Sequence, residues 1–359
     1  MAYTTINDPS QYFDTLLWSG NGNSPRTETG LNFQPDWVWH KNRTDSGRSH
    51  YLHDSSRGFG AHKELTTNND HTENSDSQLT ENFGYINAAT STGFTIGAGA
   101  TNDVYTNNPG ANYVAWNWIC NGGTTTSVSE SGNNPANVRQ TNTTSGFSII
   151  TYTGTGATGT IAHGLGVVPK MIMVKNRGRV KDWCVYHASM GETKKIELNL
   201  AEAQSTGELV WNNTAPTSSV FTVGPSDQRT NTNDDTYAAY VFAEVQGYSK
   251  FGGYTGNGNV DGPFVYTGFS PAFVIVRRFD SGNNWHMHDN KRVPHNSNNK
   301  TLYPNLDNVE ATEDFDMLSG GFKLRESGGG YNADGGTYLY MAFAESPFVT
   351  SNGTPNNAR

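Results

Sequence analysis

Charge is scarce in this sequence. Charged residues make up 16% of its 359 positions, against about 25% in an ordinary soluble domain, and Gly, Asn, Thr and Ser fill the difference. The basic sign is the scarcer one, because 24 Lys and Arg face 33 Asp and Glu for a net charge of −9. Such a surface repels phosphate backbones and no basic stripe offsets it, so nucleic acid is not an expected partner. Neutral polar partners such as glycans, or another protein, fit better. Cysteine is almost missing too. Cys120 and Cys184 are the only two and fall at non-equivalent places, which argues against a disulfide framework; each reads as a small strand residue. No window approaches the roughly 18 apolar residues of a membrane span. The start, Met1 to Asp8, has neither the basic end nor the apolar run of a secretion signal. The expectation is a protein that folds in a cytoplasm without membrane insertion.

What the chain does have is a repeat. The turn Tyr254-Thr255-Gly256-Asn257-Gly258 recurs as Tyr152-Thr153-Gly154-Thr155-Gly156 and as Trp18-Ser19-Gly20-Asn21-Gly22. A proline follows each at the same spacing of 17, at Pro35, Pro169 and Pro271, and a basic residue stands 6 further on, at Lys41, Lys175 and Arg277. Each unit closes on an aromatic strand that begins at Tyr113, Tyr237 or Tyr338, and an asparagine precedes that tyrosine by 6 every time, at Asn107, Asn231 and Asn332. Several independent spacings kept in three places mean one module written three times.

Short runs of strand character lie between Gly/Asn turns, with almost no helical periodicity. Residues 36–40 alternate, with Trp37 and Trp39 on one face, and residues 170–175 are apolar enough for a strand buried on both faces. Residues 63–82 read as a long polar loop, and Thr312 to Leu318 as one helical turn. The expected fold is all-β: three tandem β-sandwich modules, jelly-roll-like or lectin-like, with Gly/Asn-rich turns. Module one covers 1–120, a Gly/Thr/Ser/Asn-rich linker or extended arm 121–145, module two 146–247, module three 248–348, and a polar C-terminal tail 349–359. The arm gives a flexible reach of roughly 25 to 30 Å, enough for module one to sit apart, although Val128 and Val138 offer a way to pin it as an edge strand.

Reactive residues are few and poorly matched between copies. Glu244 and Glu345 occupy equivalent places, but module one has Cys120 there, so a strand-end carboxylate facing solvent is the simpler reading. His286 and His288 stand two apart on a strand and share a face, as two metal ligands would. No third ligand is marked, so neither a metal nor any other cofactor is expected, and the pair reads as partly exposed histidines. Asp54 and Arg57 are echoed by Asp289 and Arg292, a pairing that suits a loop tied to its sheet at the surface, where such a pair contributes ~0 to 1 kcal/mol. Among the eight tryptophans most occupy repeat positions, as core residues do. Trp211 has no clear counterpart, and with His286 and His288 it forms the candidate binding set.

Several stretches resemble a repeat-domain family encoded by marine tailed bacteriophages: residues 146–156, His163 to Gly166 with Pro169-Lys170, Pro216 to Phe221, Gly247 to Gly258, Asp261 to Phe269, and Tyr338 to Glu345. The resemblance runs over essentially the whole chain and names no catalytic residue. It implies a structural protein of the virion, assembled in the host cytoplasm, with other virion proteins as partners and a homo-oligomeric state. The first expectation is an external appendage of tail-fibre or tail-tip type that presents loops to a host-surface glycan or protein. A capsid decoration protein or head fibre is the second, and a glycan-degrading depolymerase, for which no paired carboxylates can be placed, is the third; enzymatic activity is not expected.

Overall fold

Strands such as Trp37–Asn42, Met171–Asn176 and Phe269–Arg278 carry apolar or aromatic residues on both faces, so both faces have to be covered. A computed structural model describes residues 2–75 and 80–356, and in it each of these strands lies inside an antiparallel sheet between two layers. The first sheet runs 13–19, 112–118, 37–42, 50–54, 65–66 in spatial order, the third runs 249–255, 337–347, 269–278, 285–289, and the second has the same middle with extra strands at both edges. A smaller sheet closes the outer face of each: 26–29, 93–97 and 85–90 in unit one, 159–162 and 220–223 in unit two, and 264–266, 321–324 and 315–318 in unit three. The chain is all-β, built of antiparallel sheets stacked as sandwiches and not closed into a barrel.

The inner faces of the three large sheets meet one another. Trp37 packs on Phe147 and Tyr240, Phe13 stacks on Phe343, and Phe242 meets Phe343 edge-on, so units one, two and three share one central core. Each unit adds a private core between its inner and outer sheet. Of the two readings of residues 121–145, a flexible linker or a segment pinned as an edge strand, the second is what forms. Residues 126–128 and 137–142 are strands that extend the second sheet past Phe147–Thr153, and Gln140 donates from there to the hydroxyls of Ser55 (2.8 Å) and Ser56 (2.7 Å) in unit one. Burying Trp37 and Trp39 requires the inner faces of the other two sheets, which no isolated sandwich can supply. Two local expectations also change. Residues 315–318 form a strand rather than a helical turn, because Phe315 and Met317 alternate into the private core of unit three. The polar stretch 63–82 holds a short strand, Leu65–Thr66, and the start of a helical turn at Thr80, with residues 76–79 outside the described residues.

The repeated spacings have a local cause. The side-chain oxygens of Asn107, Asn231 and Asn332 accept from the backbone N–H of Asn21, Thr155 and Asn257, at 3.0, 3.0 and 2.9 Å. The hydroxyls of Tyr113, Tyr237 and Tyr338 accept from the N–H of Asn108, Thr232 and Ala333, at 2.8, 2.7 and 2.8 Å. A side chain at Gly20, Gly154 or Gly256 would collide with the carbonyl of that same residue. The opening turn of each unit is thus stapled to the start of its closing strand, and glycine is required by close approach.

Candidate functional site

His286 and His288 do project to one face of the strand Trp285–Asp289, as alternation requires, but that face is the covered one. Their residues are 2% and 0% exposed, which corrects the reading as partly exposed histidines. The outer sheet and the Gly330 loop lie over them, and a side chain at Gly330 would press on the His286 ring. His286 Nδ1 lies 2.6 Å from Glu313 Oε2, and Tyr303 donates to the other oxygen at 3.1 Å. His288 stacks on Phe315 with centroids 4.3 Å apart and lies 3.3 Å from the Asn298 side-chain oxygen. Burial, with Arg292 and His286 nearby, pushes the His288 imidazole well below its ordinary value, so it stays neutral. Among the described residues no group of three or more His, Cys, Asp or Glu is arranged to hold a metal ion.

Trp211 is also interior. It ends the helical turn Glu208–Trp211, is 2% exposed, and meets Tyr186 edge-on within the private core of unit two. The structure therefore does not bring Trp211 together with the two histidines. Glu244 is half-exposed and pairs with Lys250 at 2.8 Å, in keeping with a solvent-facing strand end. Cys120 and Cys184 are buried free thiols, and burial raises both well above the ordinary thiol range.

The pairing of Asp54 with Arg57 and of Asp289 with Arg292 is not a surface feature, since all four side chains are fully buried. Each pair sits at a seam between units. Asp54 also accepts from the Tyr240 hydroxyl of unit two (2.7 Å), and Arg57 reaches Glu73 (2.9 Å), which in turn holds Arg177 of unit two (2.5 Å). In the same way Asp289 accepts from Trp116 Nε1 of unit one (3.0 Å), and Arg292 reaches Glu310 (3.0 Å), which holds Arg43 of unit one (2.6 Å). Opposing charges outweigh burial and keep Arg57 and Arg292 charged, and Arg43 and Arg292 hold the Glu310 carboxyl below its usual range although burial opposes it.

Solvent meets the molecule in shallow polar grooves. A cavity of about 410 Å³ at the seam of units one and three is lined by Ser49, Asn68, Asn69, His71, Asn305 and Asp307. A second, of about 310 Å³, lies where the 121–145 arm meets unit two, beside Val128, Val138, Tyr152 and Arg177. Exposed aromatic rings gather elsewhere, on the outer sheet of unit three. There Phe264 and Tyr266 face outward beside Phe348, which meets Tyr266 edge-on at 6.3 Å. Sequence reasoning missed this group. Its signal was in the alternation of Phe264, Val265 and Tyr266, which puts two rings opposite the buried side.

One protein family, described as a domain of unknown function, DUF7483, matches residues 8–347. The chain belongs to the DUF7483 family. A single match spans all three units, so the DUF7483 family is defined over the whole three-walled body and not over one repeat. No curated protein and no solved structure matches the chain. The geometry of this DUF7483 chain is therefore the main guide to its role.

Proposed function

We propose that this DUF7483 chain is a structural protein of a tailed-bacteriophage particle, an external appendage of tail-fibre or tail-tip type that meets the host surface. The observation that carries the reading is how the interior is used. The charged and imidazole groups that chemistry would need, Asp54, Asp289, His187, His286 and His288, are spent on seams and private cores, each with a packing partner. That arrangement supports a rigid body that displays loops and exposed rings outside. The likeness of its turn and strand signatures to marine phage sequences supports the setting, and the chain assembles there with other virion proteins and with copies of itself.

Immunogold electron microscopy of particles from the phage that encodes the chain tests this. Label at the tail end is expected. Label spread over the shell would make it a capsid decoration protein, and purified particles without label would overturn the reading. Release of reducing sugar from host polysaccharide by the purified chain, lost in Glu244→Gln, would replace it with a depolymerase.

A further inference from the structure

Register lets the three outer sheets be compared position by position. Phe94, Phe221 and Phe322 pair with Glu28, Ile161 and Val265, all facing inward. The outward positions on either side are then Thr27 and Thr29 in unit one, Thr160 and Ala162 in unit two, and Phe264 and Tyr266 in unit three. Two copies keep small side chains at these outward places. The third carries aromatic rings that are 49% and 56% exposed, with Phe348 at 39% beside them. Nothing in the sandwich requires rings there, since the other two copies fold without them.

The surroundings of the rings describe what they would hold. Opposite Phe264 stands Lys323, and opposite Lys323 stands Asp316 on the next strand; opposite Tyr266 stands Gly321. The glycine puts no side chain beside the Tyr266 ring, and Gly320 packs between the Tyr266 and Phe348 rings, where an added Cβ would touch both. Along the rim Asp261 pairs with Lys323 at 2.7 Å, and Arg325 with Asp316 at 2.6 Å. Two cations are thus balanced by two carboxylates. Flat apolar faces beside paired donors and acceptors suit a pyranose ring, which has C–H groups on its faces and hydroxyls around its edge. The charge balance favours a neutral sugar over an anionic one. A protein partner fits less well: the three rings expose roughly 300 Å², taking ~200 Å² for a whole aromatic side chain, against ~800 Å² per partner in a stable interface.

We infer that Phe264, Tyr266 and Phe348 form a stacking site for the pyranose rings of a neutral glycan, with Asp261, Lys323 and Arg325 as its hydroxyl-binding rim. The inference names a ligand class for the host-facing surface, and so rests on the attachment reading for its biological sense while standing on the surface alone for its chemistry.

Saturation-transfer NMR on the purified full chain tests it, with cellotetraose and chitotetraose as neutral probes and a sialyl trisaccharide as the anionic one. Transfer to ring C–H protons of a neutral probe is expected, with affinity about tenfold weaker in Tyr266→Ala, as for loss of one ring contact, and retained in Tyr266→Phe. Leu209→Ala, an exposed apolar residue on unit two, should change nothing. Melting temperature confirms that each variant is folded. The inference falls if wild type shows no transfer from either neutral probe, if the Tyr266→Ala, Phe348→Ala double variant binds as well as wild type, or if the sialyl probe binds best. It also falls if wild type sediments as an oligomer that Tyr266→Ala dissociates, because the rings would then be covered by a second copy. Sugar binding without label on the particle would strike the attachment reading alone, and label without sugar binding would strike this one alone.

Discussion

Two of the three seams between units carry a buried network of ion pairs, and at the matching places the third carries none. Unit one meets unit two through Asp54, Arg57, Glu73, Arg177 and Tyr240, and unit three meets unit one through Asp289, Arg292, Glu310, Arg43 and Trp116. At the corresponding places between units two and three stand His187, Met190, Gln204, Phe279 and Met341. The backbone correspondence is direct: the N–H of Glu73, Glu310 and Gln204 donates to the carbonyl of Arg177, Arg43 and Phe279 at 2.9, 3.4 and 2.9 Å. Met190 and Phe279 pack against the central core instead of forming ion pairs. His187 is held neutral, with Nε2 3.2 Å from the Tyr340 carbonyl and Nδ1 accepting from the Ser189 N–H at 3.1 Å.

All five positions differ together. A lone Arg facing Met, or a lone Asp facing Met341, would be a buried unpaired charge, which is why these five positions are ionic together or neutral together. The same geometry can therefore be closed by either chemistry.

The largest effect should come from breaking one ionic seam. Arg57→Leu leaves Asp54 buried without its partner and should cost about 3 to 5 kcal/mol, read as a lower midpoint in urea unfolding. Met190→Ala at the matching place, only half-buried, should cost about 1 to 2 kcal/mol. Equal losses would erase the distinction between the seams. The sharper test converts a seam: Asp54→Leu, Arg57→Met, Glu73→Gln and Arg177→Phe together should lose far less than Arg57→Leu alone, and strong non-additivity in a mutant cycle would show it.

Beside the seams, Lys41, Lys175 and Arg277 occupy one repeat position and are fully buried on the inner face. Lys41 donates to the Asn42 carbonyl (2.5 Å), Lys175 to those of Asn176 (2.8 Å) and Asp70 (3.2 Å), and Arg277 to that of Glu202. Burial pushes Lys41 and Lys175 down to about 7. The unfolded chain holds the Lys41 proton up to about 10.4, so between those values the unfolded state binds more protons and stability rises with pH. Lys41→Met should remove the Lys41 share of that rise, leaving that of Lys175, and add about 1 to 4 kcal/mol at pH 7, seen as a higher melting temperature.

On the acid side the neutral seam should weaken first. Burial lowers His187 to about 4, despite the Tyr340 carbonyl, while the unfolded residue titrates near 6.5. Its contribution is fully present above about 6.5 and is lost as pH falls towards about 4, up to ~1.4 kcal/mol per pH unit. His187→Asn should flatten that part of the stability profile. Glu310, whose folded value is lowered, gives a contribution present above its unfolded value of about 4.3 and lost only below it. Glu310→Gln should therefore leave the slope between pH 6.5 and 5 unchanged. The smallest effect belongs to Glu244→Gln, which should shift stability by less than about 1 kcal/mol, because its pair with Lys250 is half-exposed.

Much of this fold was legible in the residues. The spacing from turn to proline to basic residue marked three copies, and alternation placed Trp37, Trp39, His286 and His288 on the correct faces of their strands. It did not say what would cover each face. His286 and His288 read as partly exposed from sequence because period two distinguishes two sides of a strand, and burial of one side or both depends on residues far along the chain, such as Phe315 and Gly330. Asp54 with Arg57 looked like a surface tie for the same reason: Tyr240, which makes it a buried junction, lies 186 residues away. Trp211 reads as available because the residue has no clear repeat counterpart, yet the helical turn it ends folds its ring inward onto Tyr186.

Local chemistry alone settled the number of copies, most of the strands and the stapled turns, because asparagine, tyrosine and glycine act there within a few residues of one another or across one strand pair. Tertiary structure alone decided that three inner faces would share one core, and that some charges would be buried as junctions while three aromatic rings stayed outside. Side-chain alternation fixes the direction a residue points, and only the packing of distant segments decides whether protein or water is waiting there.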